Sequence, residues 1–274
     1  MLQGQVNDGA AMRLAMFQAA KNLAKKAPYL RELVRQREAL RRELTEAQSK
    51  LSQGESAKFA FALWGEDQIL AWVFENRPAG FYVDVGAYHP TLHSNTKLLS
   101  DRGWTGINID CNPTMIEYHR NARPRDVNLN VAVGATEGPV KVYIFHEWAS
   151  SNTISPVWAE AISRIQSTAV DREIEVQCYP LHKILERHLP PGQAIDLLNV
   201  DVETVDLEVL QSNDWTRFRP RVVAIEDIEF NLDEPTHSAT YRFLREQGYH
   251  FFSRTIYTNF FADEARRTEL NGCP

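Results

Sequence analysis

From residue 59 onward, apolar and polar positions fall into short blocks that alternate between two periods. Runs rich in β-branched and aromatic residues predict buried strands at 81–84, 106–110, 126–131, 195–201 and 221–226. Between them, apolar residues three and four apart predict helices over 66–76, 94–102, 114–121, 205–211 and 240–247. Strands alternating with helices imply a largely parallel sheet covered on both faces. Two further strand-like runs, 140–145 and 173–179, flank a helix at 158–165 and read as an insertion near the substrate. The last two runs, 250–253 and 256–261, are close enough to form a hairpin, which gives the sheet an antiparallel edge and a total of seven strands.

A different pattern occupies the first fifty-six residues. Leu30, Leu33, Leu40, Leu44, Ala47 and Leu51 form one helical stripe, interrupted at Arg37. It reads as a short coiled coil that would make a homo-oligomer. A helix packed on its own domain presents the same stripe, because three heptads are marginal alone. A basic arm lying on an anionic membrane is a third reading. Pro28 separates the stripe from an earlier helix over 12–25, and residues 52–56 read as a linker. The expected organisation is therefore a helical arm over 1–56 and an α/β domain over 57–274.

Composition narrows the function classes. The longest apolar runs, such as 69–74 and 195–200, are far below the ~18 residues of a spanning helix. No secretory signal is apparent, so the expected compartment is the cytoplasm. Cys111, Cys178 and Cys273 are too few and too scattered for a disulfide framework or a zinc site. The net charge of −6 conceals an asymmetry: residues 1–56 hold ten Lys/Arg against six Asp/Glu, leaving twenty against thirty for the rest. Such an acidic body excludes broad nucleic-acid binding and suits a small or uncharged substrate, a small molecule or a glycan.

The chemistry concentrates at the ends of the predicted strands. In open α/β sheets, ligands bind beyond the carboxyl ends of the strands. The first strand ends in Asp84-Val85-Gly86-Ala87-Tyr88. Gly86 lets the backbone approach a ligand, Ala87 keeps the wall thin, and Asp84 would face the cationic part of a cofactor. The next strand ends in Asp110, whose carboxylate suits two ribose hydroxyls. Asn130 and Ala132, after the third strand, would lie beside a nucleobase. An ordinary strand and turn could carry each of these residues. A nicotinamide site would instead favour three glycines and a helix N-terminus aimed at pyrophosphate.

These residues, taken together, resemble the FkbM-type methyltransferases. The resemblance rests on Gly65-Glu66-Asp67, on Val83-Asp84-Val85-Gly86-Ala87 with His89-Pro90 and Ser94-Asn95-Thr96, and on Gly103-Trp104-Thr105-Gly106-Ile107-Asn108-Ile109-Asp110 with Asn112-Pro113. It continues through Arg123-Pro124-Arg125-Asp126, Asn130-Val131-Ala132, Asn199-Val200-Asp201-Val202-Glu203 and Arg219-Pro220 before Ala224-Ile225-Glu226. These motifs span roughly residues 62–230 and leave the arm uncovered. The resemblance implies a Rossmann-like class I methyltransferase fold and S-adenosylmethionine as cofactor. It also implies methyl transfer to an oxygen, commonly a hydroxyl of a sugar or a polyketide. Thr204 departs from the family, which usually has Gly after the Asp-Val-Glu run.

An alcohol needs a base or a metal near the transferred methyl. His89, directly after the first turn, is one candidate base; a structural imidazole holding the turn is the alternative. Asp201 and Glu203 should fall on one side of the fourth strand's end by the period-two rule, able to bind or deprotonate a hydroxyl. Together with Glu226 and Asp227 at the next strand's end they could relieve their repulsion on a Mg²⁺ ion, held by Asp201, Glu226 and Asp227. Ser150, Ser151, Asn152 and Thr153, bracketed by Trp148 and Trp158, offer polar and aromatic groups to a sugar ring, or form a plain loop and lid. Two other function classes stay open: a scaffold module that has lost turnover, and a nicotinamide-dependent oxidoreductase.

Overall fold

The computed structural model describes residues 58–272. Residues from Ala60 onward belong to one compact unit. The helical arm and coiled coil expected over 1–56 lie outside the described residues.

The body begins with α1 (Glu66–Val73), followed by β1 (Phe81–Val85), α2 (Lys97–Asp101), β2 (Thr105–Ile109), α3 (Pro113–Ala122) and β3 (Val127–Leu129). Then come β4 (Ala132–Val133), β5 (Gly138–Ile144), α4 (Pro156–Ile165), β6 (Arg172–Tyr179) and α5 (Leu181–His188). The core resumes with β7 (Leu197–Val200), α6 (Asp206–Gln211), β8 (Val222–Glu226), α7 (Ala239–Glu246), β9 (Tyr249–Arg254) and β10 (Thr258–Asp263). Seven strands form one sheet in the order β3-β2-β1-β7-β8-β10-β9. The first five are parallel, and β10 runs antiparallel to both β8 and β9. This is the Rossmann-like architecture with an antiparallel edge hairpin.

Strand alternation builds a separate core on each face. Phe81, Val83 and Val85 of β1 pack with Ile107, Leu198, Val223 and Phe261 on one side. Tyr82 packs with Leu197, Val222, Leu70 and Trp104 on the other. Asp84 shares the Tyr82 parity and is buried, so its carboxylate needs partners from the helix layer on that side. The chain order reverses between β1 and β7: β1 leads outward to β2 and β3, whereas β7 leads to β8. Their carboxyl ends open a crevice at that switch point.

Three local differences from the sequence reading have physical causes. The expected strand over 126–131 stops at Leu129, because Ala132 and Val133 pair with Cys178 and Tyr179 of β6 instead. Strands β4, β6 and β5 thus make a second, three-stranded sheet, and the inserted runs belong to it. The helix expected from residue 94 starts only at Lys97, since Ser94, Asn95 and Thr96 turn their side chains into a buried polar network. Helix α5 was not anticipated; its buried side chains, Leu181, Ile184 and Leu185, are few and mixed with charges, although their spacing is helical. Among the described residues, no helix is long and apolar enough to cross a membrane.

Candidate active site

The turn after β1 is built around a residue that only glycine satisfies. Gly86 has φ +80°, and a Cβ there would stand 1.7 Å from the Asp201 carbonyl oxygen. The N–H groups of Gly86 and Ala87 donate to the Ile109 carbonyl at 2.9 and 3.0 Å, tying the turn to the end of β2. Tyr88 follows at φ +45° and donates its hydroxyl to the Trp148 carbonyl at 2.8 Å. Beneath it lies buried His119, with Nε2 3.1 Å from the Tyr88 carbonyl. Burial, reinforced by nearby Arg123, lowers the His119 pKa to about 3, so the ring is neutral and Nε2–H donates to the turn.

Asp110 faces this turn from the end of β2. Its Oδ2 accepts the Tyr88 N–H at 2.8 Å, and its Oδ1 accepts the Asn112 N–H at 2.7 Å. Each carboxylate oxygen keeps a further lone pair, so two vicinal hydroxyls could be accepted without displacing either bond. Burial raises the Asp110 pKa to about 6. Asn130 is placed differently from the expectation that it would contact a base: its amide donates to the Asp110 carbonyl at 3.0 Å, and it does not line the cavity. Ala132 does line it, together with Val131, Val133, Ile109 and Met115, an apolar slot beside Asp110.

Asp84 also lines the cavity, and both of its oxygens are occupied from behind. Thr96 Oγ1 donates to one at 2.7 Å and Asn199 Nδ2 to the other at 2.8 Å, while Asn95 donates to Asn199 Oδ1 at 3.0 Å. Arg123, almost wholly buried, donates to Thr96 Oγ1 at 2.7 Å, Ser94 Oγ at 2.8 Å and the Pro90 carbonyl at 2.6 Å. The guanidinium therefore fastens the 90–96 loop under β1. Burial raises the Asp84 pKa, and Arg123 acts against that rise.

The opposite wall is acidic. Asp201, Glu203 and Glu226 all line a cavity of about 270 Å³ at the carboxyl ends of β1, β2, β7 and β8. Strand alternation is not what brings Asp201 and Glu203 together: β7 ends at Val200, and a turn with positive φ at Glu203 (57°) and Thr204 (82°) does so. Asp206 holds that turn by accepting the Val202 and Thr204 N–H groups at 3.0 and 3.2 Å. Glu203 Oε2 accepts the Trp158 indole N–H at 2.8 Å. Glu226 stands beside Asp201 across the β7–β8 pair, and its Oε2 is buried without a partner. Two buried carboxylates so close oppose each other's ionisation. Burial and the neighbouring charges accordingly raise Asp201, and raise Glu226 to about 8. Asp206 rises to about 7 for the same first reason, burial.

The Mg²⁺ set expected from Asp201, Glu226 and Asp227 is not assembled. Asp227 turns away to accept the hydroxyls of Ser238 and Thr240 at the start of α7 and does not line the cavity. Among the described residues, no three His, Cys, Asp or Glu side chains are grouped so as to hold a metal ion.

His89 also lies outside the cavity. Its Nδ1 accepts the Thr91 and Leu92 N–H groups at 3.1 and 3.0 Å, and its ring packs against Tyr118 and Trp148. Ser150, Asn152 and Thr153 line the cavity, but Asn152 is engaged with the Phe145 and His146 backbone and Thr153 bonds to the Glu203 carbonyl. Sequence reasoning passed over Glu66, Asn95, Thr96, His119, Arg123, Asn199 and Asp206 as parts of the site. One signal was available: Asn199 is a lone polar residue inside an apolar strand, which demands a specific partner.

A mostly parallel sheet with an antiparallel edge hairpin and a crevice at its switch point defines the class of Rossmann-like α/β proteins. Residues 84–251 match the methyltransferase FkbM domain, and the chain belongs to that family of methyltransferases. No curated protein and no solved structure matches it. The family as a whole uses S-adenosylmethionine, and membership sets the chain apart from the nicotinamide oxidoreductases.

Proposed function

We propose that the protein transfers a methyl group from S-adenosylmethionine to a hydroxyl oxygen of a sugar, a glycan or a related metabolite. The observation that carries this reading is the placement of Asp110 and the acidic wall on opposite sides of one cavity. Asp110 has lone pairs free for a ribose, and the apolar slot beside it suits an adenine. The wall of Asp201, Glu203 and Glu226 holds buried carboxyls whose ionisation is suppressed, an arrangement that a cation would relieve. A nucleoside bearing a sulfonium and an ammonium meets both demands.

When bound, S-adenosylmethionine supplies an electrophilic methyl and a neutral leaving group. The chain's own residues then have modest tasks. Gly86, Ala87 and Tyr88 shape the cradle, and His119 and Arg123 hold it from below. The Asp201–Glu226 pair takes the proton of the acceptor hydroxyl, since it lies in the cavity and burial raises both carboxyls, Glu226 to about 8, which strengthens them as bases. Glu203, fixed by Trp158, is placed to accept a second hydroxyl and orient the acceptor. His89, engaged in its own turn, stands outside this scheme.

The test is calorimetric titration with S-adenosylhomocysteine and with NAD, followed by methyl transfer to a panel of hydroxylated and amine acceptors. Binding of S-adenosylhomocysteine with turnover on hydroxyls alone is the expected result. Transfer to amines, or binding without turnover on any acceptor, would overturn the oxygen assignment or the enzymatic one respectively.

A further inference from the structure

The outer lip of the cavity is apolar, which its acidic interior does not explain. Leu63, Trp64, Ile228, Ile256 and Tyr257 are each 39–56% exposed. Leu63, Trp64 and Tyr257 line the cavity itself. The five residues come from three separated segments, and polar bonds bring those segments together. Glu66 Oε1 accepts the Thr255 hydroxyl at 2.6 Å, and Glu66 Oε2 accepts the Trp64 N–H at 2.9 Å, fastening the 63–66 segment to the turn between β9 and β10. Arg254 donates to the carbonyls of both Asp227 and Ile256, at 3.0 and 2.9 Å, and the Asp227 N–H donates to the Tyr257 carbonyl at 2.8 Å. The Trp64 and Tyr257 rings meet edge to face with centroids 6.1 Å apart.

A buried carboxylate and a guanidinium are thus spent on holding large apolar side chains in water. Scattered exposed apolar residues need no explanation, but a contiguous set continuous with a ligand cavity marks a binding surface. Pure solvent-facing sugar would gain nothing from Leu63, Ile228 and Ile256, which offer neither hydrogen bonds nor an aromatic face. An alkyl or ring hydrocarbon would bury them and itself.

We infer that the methyl acceptor is amphipathic: a hydroxyl-bearing end enters the acidic cavity while an apolar portion lies on the Leu63–Trp64–Ile228–Ile256–Tyr257 lip. This rests on the reading of the cavity as the methyl-transfer site and specifies the acceptor's class. The occupant is chosen by continuity, because the lip begins where the cavity wall ends, so one molecule can span both.

The experiment compares n-octyl β-D-glucopyranoside with methyl β-D-glucopyranoside as probes of the full-length protein loaded with S-adenosylhomocysteine, below the concentration at which the octyl glycoside forms micelles. Binding is followed by intrinsic tryptophan fluorescence and by calorimetry. The octyl glycoside should bind at least about tenfold more tightly, the gain expected from burying part of an eight-carbon chain. The double variant Ile228→Ser/Ile256→Ser, at two lip residues outside the cavity lining, should erase that difference while its affinity for S-adenosylhomocysteine stays at the wild-type value. Equal binding of the two glycosides by the wild type would overturn the inference, as would a preference that survives in the double variant. A change in sedimentation coefficient caused by the double variant would assign the lip to self-association and overturn it too. Failure of S-adenosylhomocysteine to bind the wild type would instead remove the cofactor reading, a separate outcome seen in a separate titration.

Discussion

Gly86 and Asp201 approach so closely that a methyl group on the first would stand 1.7 Å from the carbonyl oxygen of the second. The contact joins the turn after β1 to the end of β7, the two strands that flank the switch point. It also fixes where the acidic wall stands relative to the cradle. We predict that Gly86→Ala destabilises the fold by roughly 3 kcal/mol or more, because it combines a positive-φ penalty with a backbone clash that no rotamer relieves. Urea unfolding would measure the loss. A stability within experimental error of wild type would show that the two strands separate freely.

Asp110 carries the ribose assignment. Asp110→Ala should weaken S-adenosylhomocysteine binding by about 1–3 kcal/mol through lost hydrogen bonds. The same assignment has a pH signature. A protonated carboxyl cannot accept two hydroxyls and two N–H groups together, so affinity should fall as pH drops through about 6, the raised value of this buried group. Calorimetric titrations between pH 5 and pH 8, as a roughly even series around that value, would record it. Affinity independent of pH in the wild type would dissociate Asp110 from the ligand.

The acidic wall should govern stability in the opposite direction. Glu226 is raised to about 8 and Asp206 to about 7, both chiefly by burial. For a carboxyl whose folded pKa exceeds its unfolded one, the folded state binds the proton more tightly. The stabilising contribution is then complete below the unfolded value and lost as pH rises through the folded value. The ligand-free protein should therefore lose stability between about pH 5 and pH 8. Glu226→Gln, neutral at every pH, should flatten that slope and raise stability at pH 8 by on the order of 2 kcal/mol. Thermal unfolding across the pH series checks it, and an unchanged slope in the variant would place the titration elsewhere.

How much of this was legible beforehand depends on whether neighbours in sequence or neighbours in space decide. Strand ends were legible: Asp84, Gly86 and Asp110 are set by local runs of apolar residues that stop at a turn, and the cavity forms where those runs stop. The edge hairpin was legible for the same reason. Asn130 and Asp227 were misplaced, because a polar residue just past a strand can face the cavity or satisfy a neighbouring backbone or cap. The choice is made by distant partners, the Asp110 carbonyl for one and Ser238 and Thr240 for the other. The Arg123 network was invisible in the same way, since the groups it donates to lie up to 41 residues away along the chain, at Tyr82. The nearness of Asp201 and Glu226 was legible too, because each stands at the end of one of two successive strands, and the β7–β8 register sets them side by side.

Thr204 offers the last test, because here the chain departs from the glycine usual in its family and the structure shows the consequence. Its φ is 82°, a left-handed conformation that a β-branched residue adopts only under strain. Glu203 before it is also left-handed, at 57°. The surroundings hold this shape: Asp206 accepts the N–H groups of Val202 and Thr204, and Glu203 is anchored by Trp158. Strain of this kind costs about 1–3 kcal/mol, and glycine would remove it while adding some freedom to the unfolded chain. We predict that Thr204→Gly raises stability by about 1 kcal/mol net. If the strained turn sets the angle at which Glu203 meets the acceptor, the same variant should change KM for the acceptor and leave affinity for S-adenosylhomocysteine alone. Chemical denaturation and steady-state kinetics measure the two effects independently. A variant less stable than wild type would mean that the threonine makes contacts worth more than its backbone costs.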